Sequence, residues 1–140
     1  MLLDTNVLSE TMRPEPAWQV LAWLDALGQH PVYVSSVTQA EMLLGVALLP
    51  AGKRRDALEL KVVALFAQHF ANRCLPFDAQ AAPHYARIVA YRRNAGKRIA
   101  TEDAQIAAIA CSRRYSLATR NVSDFGGIAG LEIVNPWDAA

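Results

Sequence analysis

The chain is poor in the residues that build redox and zinc chemistry. It has two cysteines, Cys74 and Cys111, in 140 residues. They form no CxxC pair and sit at no metal-ligand spacing, so a disulfide framework and a zinc ribbon are both excluded and two buried thiols are expected. The three histidines, His30, His69 and His84, show no HxxxH spacing, which argues against a zinc hydrolase. No window holds the ~20 uninterrupted apolar residues that a membrane span needs. Met1-Leu2-Leu3 runs straight into Asp4, without the charged head and apolar core of a signal peptide. A cytoplasmic protein without a membrane partner is expected. No repeat, low-complexity tract or linker interrupts the chain. Charged residues are sparse at 19%, and a net charge of +1 does not by itself mark a nucleic-acid binder.

What is present is apolar bulk. The hydrophobic fraction is 53%, with three Trp, four Tyr and four Phe, enough for a single globular domain over residues 1–140 with one proper core. The surplus also suits a subunit interface. Charge is unevenly spread: between His84 and Arg120 lie eight basic residues and two acidic ones, a local balance of +6. A basic segment around the isolated pair Glu102-Asp103 suggests a surface for a polyanion with a cation-binding point inside it, although a solvated helix face would look similar.

Short apolar runs alternate with longer helical patterns. Strands are expected at Leu2-Leu3, Val32–Val34, Cys74–Pro76, Tyr115–Thr119 and Leu131–Val134. Helices are expected over 6–12, 17–27, from a Ser36 cap to about Leu49, over 53–71, 79–94, and from a Thr101 cap to about Arg114. This alternation argues for an α/β fold with a short parallel central sheet flanked by helices. Such sheets place ligands outside the carboxyl ends of their strands, which directs attention to Asp4 and to the Arg120–Asp124 loop.

Three carboxylates stand out. Asp4 ends the first strand, where it would also serve as a helix cap. Glu41 has Val37, Leu44 and Leu48 at i−4, i+3 and i+7, which places it on an apolar stripe where an unpaired charge is costly. Asp103 has Ile106, Ala107 and Ala110 at i+3, i+4 and i+7, although a first-turn acid also answers the helix dipole. Converging carboxylates repel unless neutralised, and an all-oxygen set suits Mg²⁺ or Mn²⁺. A cation held this way suits phosphodiester hydrolysis, with basic residues of the Arg87–Arg98 segment holding the rest of the strand.

Five blocks in order resemble the PIN domain, and within it the VapC-type toxins, including the FitB-like or plasmid-stability branch. They are Leu2-Leu3-Asp4-Thr5-Asn6-Val7-Leu8-Ser9-Glu10; Ser35-Ser36-Val37-Thr38-Gln39-Ala40-Glu41 with Leu44-Gly45; Ile99 to Ala108; Leu117 to Phe125; and Val134-Asn135-Pro136-Trp137. Position by position, the resemblance implies Asp4 and Asp103 as direct metal ligands, with Glu41 acting directly or through water. Asp124 completes the catalytic acids, and Thr5, Asn6, Thr119 and Asn121 give polar support. The chain departs from many family members at Asn121, where they carry Asp; Asp124, in Asn-x-x-Asp-Phe, is the alternative. Arg92, Arg93, Lys97, Arg98 and Arg120 are candidate RNA contacts.

The resemblance further implies a three-layer α/β/α sandwich and Mg²⁺- or Mn²⁺-dependent cleavage of RNA. It also implies a homodimer and a cognate antitoxin that tethers the complex to DNA. A haloacid-dehalogenase-type phosphatase would need a second Asp where this chain has Asn6. An inert nucleic-acid-binding or interaction module, or a nuclease acting on DNA, are the remaining alternatives.

Overall fold

The computed structural model describes residues 1–138. Its sheet is built from strands of two residues: β1 (Leu2–Leu3), β2 (Val34–Ser35), β3 (Cys74–Leu75), β4 (Leu117–Ala118) and β5 (Ile133–Val134). β1, β4 and β5 pair in that order, β2 pairs with β3, and every pairing is parallel. A bridge from Leu2 to Tyr33, with Leu3 N–H donating to the Tyr33 carbonyl (2.9 Å), joins the two parts. The resulting order is β3-β2-β1-β4-β5, with the first strand at the centre.

Successive side chains on a strand point to opposite faces, and the core divides accordingly. Leu2 and Leu117 belong to one apolar cluster; Leu3 and Ala118 belong to the other. The first cluster is completed by Ile88 of α5 (Ala82–Asn94), by Ile106 to Cys111 of α6 (Thr101–Arg113), and by Phe125 of α7 (Val122–Phe125). The second draws on Val7 and Leu8 of α1 (Thr5–Thr11), Val20 of α2 (Trp18–Ala26), Met42 and Val46 of α3 (Ser36–Ala47), and Val62 of α4 (Lys53–Ala64). Helices thus cover both faces, and the expected α/β/α sandwich is present. Among the described residues, no helix is long and apolar enough to cross a membrane.

Several boundaries differ from the sequence reading for local reasons. The cap of α3 is Ser35, whose Oγ accepts from Thr38 N–H (3.0 Å), so Ser36 is already helical. The cap of α6 is Ala100, without a side-chain bond, and Thr101 is its first residue. α5 begins at Ala82 because the Asp78 carboxylate accepts from Gln80 and Ala81 N–H (both 3.1 Å), holding a turn ahead of it. The expected 53–71 helix is not regular throughout: α4 passes into a π-helical turn at Leu65–His69. There Phe70 N–H reaches the Leu65 carbonyl (3.0 Å), and the widened turn lets both Phe66 and Phe70 enter the core.

The stripe assigned to Glu41 is also corrected. Leu44 and Leu48 are 58% and 76% exposed, and α3 buries Thr38, Met42 and Val46 instead. Glu41 stands at the edge of that face, half-buried, rather than pointing into the core.

Candidate active site

Four acids gather beyond the carboxyl ends of β1 and β4. Asp4 leaves β1 as the N-cap of α1, and its Oδ1 accepts from Thr5 N–H (2.8 Å). Its Oδ2 accepts from the Thr119 hydroxyl (2.7 Å) and from Asn6 Nδ2 (3.3 Å). The capping role and the site role coincide in one carboxylate, which is only 4% exposed. Thr119, just past β4, is fully buried and uses its oxygen three ways: it donates to Asp4 and accepts from Asn121 N–H (3.0 Å) and Asn6 Nδ2 (3.3 Å). Asn6 Oδ1 in turn accepts from Arg120 N–H (3.2 Å). Chain ends far apart in sequence are thereby tied together around Asp4.

Glu41 enters from α3. Its Oε1 accepts from the Thr5 hydroxyl (3.0 Å), and Thr5 Oγ1 also meets Thr38 Oγ1 (3.0 Å). Thr38 in turn accepts from Ser35 Oγ (3.3 Å), so a chain of hydroxyls runs from the α3 cap to the acid. Ser35 and Thr38 are fully buried, and the sequence reading gave neither a site role. Their signal was available: Thr38 and Glu41 are three residues apart and share a helix face.

The electrostatics show how close the acids stand. Burial, joined by the charges of Asp4, Asp124, Glu41 and Glu102, pushes the Asp103 carboxyl up to about 6. Burial also raises Asp4, more than its hydrogen bonds from Thr119, Thr5 and Asn6 lower it, and Asp124 adds to the rise. Glu41 is raised by burial and by the charges of Asp4 and Glu102, against the Thr5 hydrogen bond. Asp124 therefore bears on both Asp4 and Asp103, whereas Asn121 contributes its backbone N–H to Thr119. Glu102, the other member of the isolated acidic pair, adds its charge to the same cluster.

Among the described residues, no cation pairs with these acids. The ion pairs among the described residues are Arg13–Glu10 and Arg113–Asp78, both elsewhere. Nor do three Asp, Glu, His or Cys side chains, among the described residues, converge tightly enough to cage an ion by themselves. The donors on offer are all carboxylate and hydroxyl oxygens, the chemistry of Mg²⁺ or Mn²⁺ rather than the N/S set of a structural zinc.

The candidate RNA contacts separate into two kinds. Arg93, Lys97, Arg98 and Arg120 are exposed. The Arg120 guanidinium lies 4.9 Å from the Trp137 ring centroid, which holds it beside Asn121 and Thr119. Arg92 is corrected: it is 4% exposed, and its guanidinium donates to the carbonyls of Asp124 (2.8 Å) and Gly126 (2.9 Å). It fixes the loop that carries Asp124 and is not a free surface cation. Glu10, also passed over in the sequence reading, secures the other side of the site. It accepts from Ala17 N–H (2.9 Å), which with Arg13 holds its carboxyl below the usual range and locks α1 to α2.

Fold and site together define a three-layer α/β/α protein with a carboxylate centre at the carboxyl ends of a parallel sheet. A family model described as the PIN domain matches residues 1–130, and the chain belongs to that family. It is 45% identical over 139 residues to plasmid stability protein StbB of Pseudomonas syringae pv. tomato, covering 99% of each chain. It is 44% identical over 137 residues to toxin FitB of Neisseria gonorrhoeae, covering 98% of each. It is 42% identical over 140 residues to VapC ribonuclease Y4jK of Sinorhizobium fredii, covering 100% of this chain and 99% of that one. Among solved structures, it superposes on a chain of FitAB bound to an IR36 DNA fragment with a TM-score of 0.87 and 46% identity, covering 97% of this chain and 94% of that one.

Proposed function

We propose that this protein is a Mg²⁺- or Mn²⁺-dependent endoribonuclease, the toxin of a type II toxin–antitoxin pair, acting in the cytoplasm as one domain. The observation that carries the reading is the group of acids that raise one another's affinity for protons while, among the described residues, no cation pairs with them. Relatives named as a VapC ribonuclease and a toxin support the substrate and the role.

Asp4 and Asp103 would hold the cation, with Glu41 reaching it directly or through water and Asp124 completing the acidic ring. A divalent ion there supplies Lewis-acid stabilisation of the phosphate and acidifies water. The chain's own residues do the positioning. Thr119, Asn6 and the Thr5 N–H orient the Asp4 oxygens, and the Thr5 hydroxyl sets the Glu41 oxygen. The burial and mutual repulsion that raise Asp103 in the metal-free protein would be relieved by a cation held there. Arg120, steadied on Trp137, is placed to meet a phosphate oxygen beside the acids.

A groove of about 560 Å³ between α1, α3 and α4 opens beside the acids, with Thr5, Glu41, Met42, Val46, Leu58 and Val62 in its lining. A segment of a cognate antitoxin seated there would cover Thr5 and Glu41. The solved FitAB complex on DNA supports such a partner and a larger assembly on DNA through it. A homodimer is part of the same reading.

The test is cleavage of single-stranded RNA and DNA by the purified, antitoxin-free protein with Mn²⁺ or Mg²⁺, with EDTA, and with Asp4→Ala and Asp103→Ala. Metal-dependent RNA cleavage is expected, falling about 10²–10⁴-fold in each variant. No cleavage together with no Mn²⁺-induced thermal stabilisation would sink the reading.

A further inference from the structure

A second cavity, of about 480 Å³, lies where α5 ends and α6 begins. Its lining combines three components. Tyr85, Val89 and Ile99 are apolar, and Phe77 meets the Tyr85 ring edge-on at 5.7 Å. Arg93, Lys97 and Arg98 bring three cations, and no acidic residue contributes. Thr101 brings the start of α6, whose first turn has no side-chain cap.

Arg92 also lines the cavity. Its terminal nitrogen is spent on the carbonyls of Asp124 and Gly126. The turn that presents Lys97 is firmly built: Lys97 N–H donates to the Arg92 carbonyl (2.9 Å), and Gly96 adopts φ +70°, a conformation suited to glycine.

We propose that this cavity is a subsite for one unpaired nucleotide of a nucleic-acid strand, separate from the acids that cut. Arg93, Lys97 and Arg98 hold its phosphate, and the base lies against Tyr85. Aromatic and cationic side chains in one groove are the combination that captures unpaired strands. The place also fits: Thr101 is two residues from Asp103, and Arg92 grips the loop of Asp124, so a strand lying here continues toward the acids. The subsite rests on the ribonuclease reading only for the identity of the strand.

The experiment measures binding of an uncleavable, fluorescent 2′-O-methyl RNA of about ten nucleotides, in EDTA, as a function of salt. It compares the wild type with Lys97→Ala/Arg98→Ala and with Tyr85→Leu. Losing the neutralisation of that one phosphate lowers the slope of log affinity against log salt by up to about 0.7. Losing the aromatic face weakens binding about five- to a hundred-fold at one salt concentration. The double variant changes only exposed side chains, so it keeps the test decisive if Tyr85→Leu does not fold. Unchanged affinity and slope in the double variant would overturn the subsite. So would unchanged RNA binding with loss of affinity for a poly-glutamate peptide, which would assign the cavity to an acidic protein segment. A wild type that binds RNA in this variant-sensitive way but cuts none separates the outcomes: the subsite stands and the nuclease reading fails.

Discussion

Asp103 sits in a conflict between stability and activity. Its carboxyl is held at about 6 in the folded protein, against 3.8 when free. A raised value means that the folded state prefers the protonated form, so the stabilising contribution is complete below 3.8 and is lost as pH rises through about 6. The metal-free protein is therefore expected to lose stability over that interval, as read by urea unfolding in EDTA. Asp103→Asn is expected to flatten this dependence and to make the metal-free protein more stable at neutral pH, while abolishing cleavage. If the variant kept the wild-type pH slope, the proton would belong to another acid of the cluster. Asp4 was legible as the polar residue that ends an apolar strand, and Asp103 as an acid with Ile106, Ala107 and Ala110 along its helix face. Glu41 was selected through a stripe that the fold leaves exposed, and what places it is a hydroxyl chain through Thr5, Thr38 and Ser35. Arg92 was misread because burial of a cation is decided by tertiary partners, here two loop carbonyls, that no local pattern displays.

At the scale of elements, caps decide where the acids stand. Ser35 closes β2 and starts α3, and its hydroxyl satisfies Thr38 N–H while touching the Thr38 oxygen that meets Thr5. Ser35→Ala is expected to cost about 1 kcal/mol, as loss of a helix cap usually does, and also to loosen Glu41. Denaturant unfolding would report the first effect and a fall in cleavage rate the second; an unchanged rate would separate the cap from the site. The order of strands and helices was legible from alternating short apolar runs and helical spacing. The boundaries were less so, because Ser35 and Ser36 are equally good caps on paper. The π-helical turn could not be read at all, since it arises from fitting Phe66 and Phe70 into one core.

For the molecule as a whole, α3 and α4 present more apolar surface than an isolated domain needs. Leu44 and Leu48 on one, and Leu60 and Val63 on the other, are exposed on the two helices that wall the larger groove. Large apolar side chains left exposed on two helices that flank a groove suit a protein interface. Leu48→Glu is expected to leave the stability of the isolated protein within about 0.5 kcal/mol and to weaken retention of a co-expressed antitoxin. Full retention on affinity purification would place the antitoxin elsewhere. The three-layer plan was legible because buried parallel strands read as short unbroken apolar runs. The sheet order was not, because two-residue strands carry no register information of their own.

That order has a consequence for how the protein comes into being. The central strand is the first one made, yet its neighbour β4 and the hydroxyl that orients Asp4 lie 115 residues further along the chain. Pairing over such a separation is slow and waits for the distant partner. While the ribosome is still translating, Asp4 therefore has neither Thr119 nor Asp124 beside it, and a nascent or prematurely terminated chain lacks an assembled catalytic centre. A cell making this protein meets its cutting activity only once Thr119 and Asp124 have been made, which leaves an interval for a neutralising partner to be present before the first copy folds.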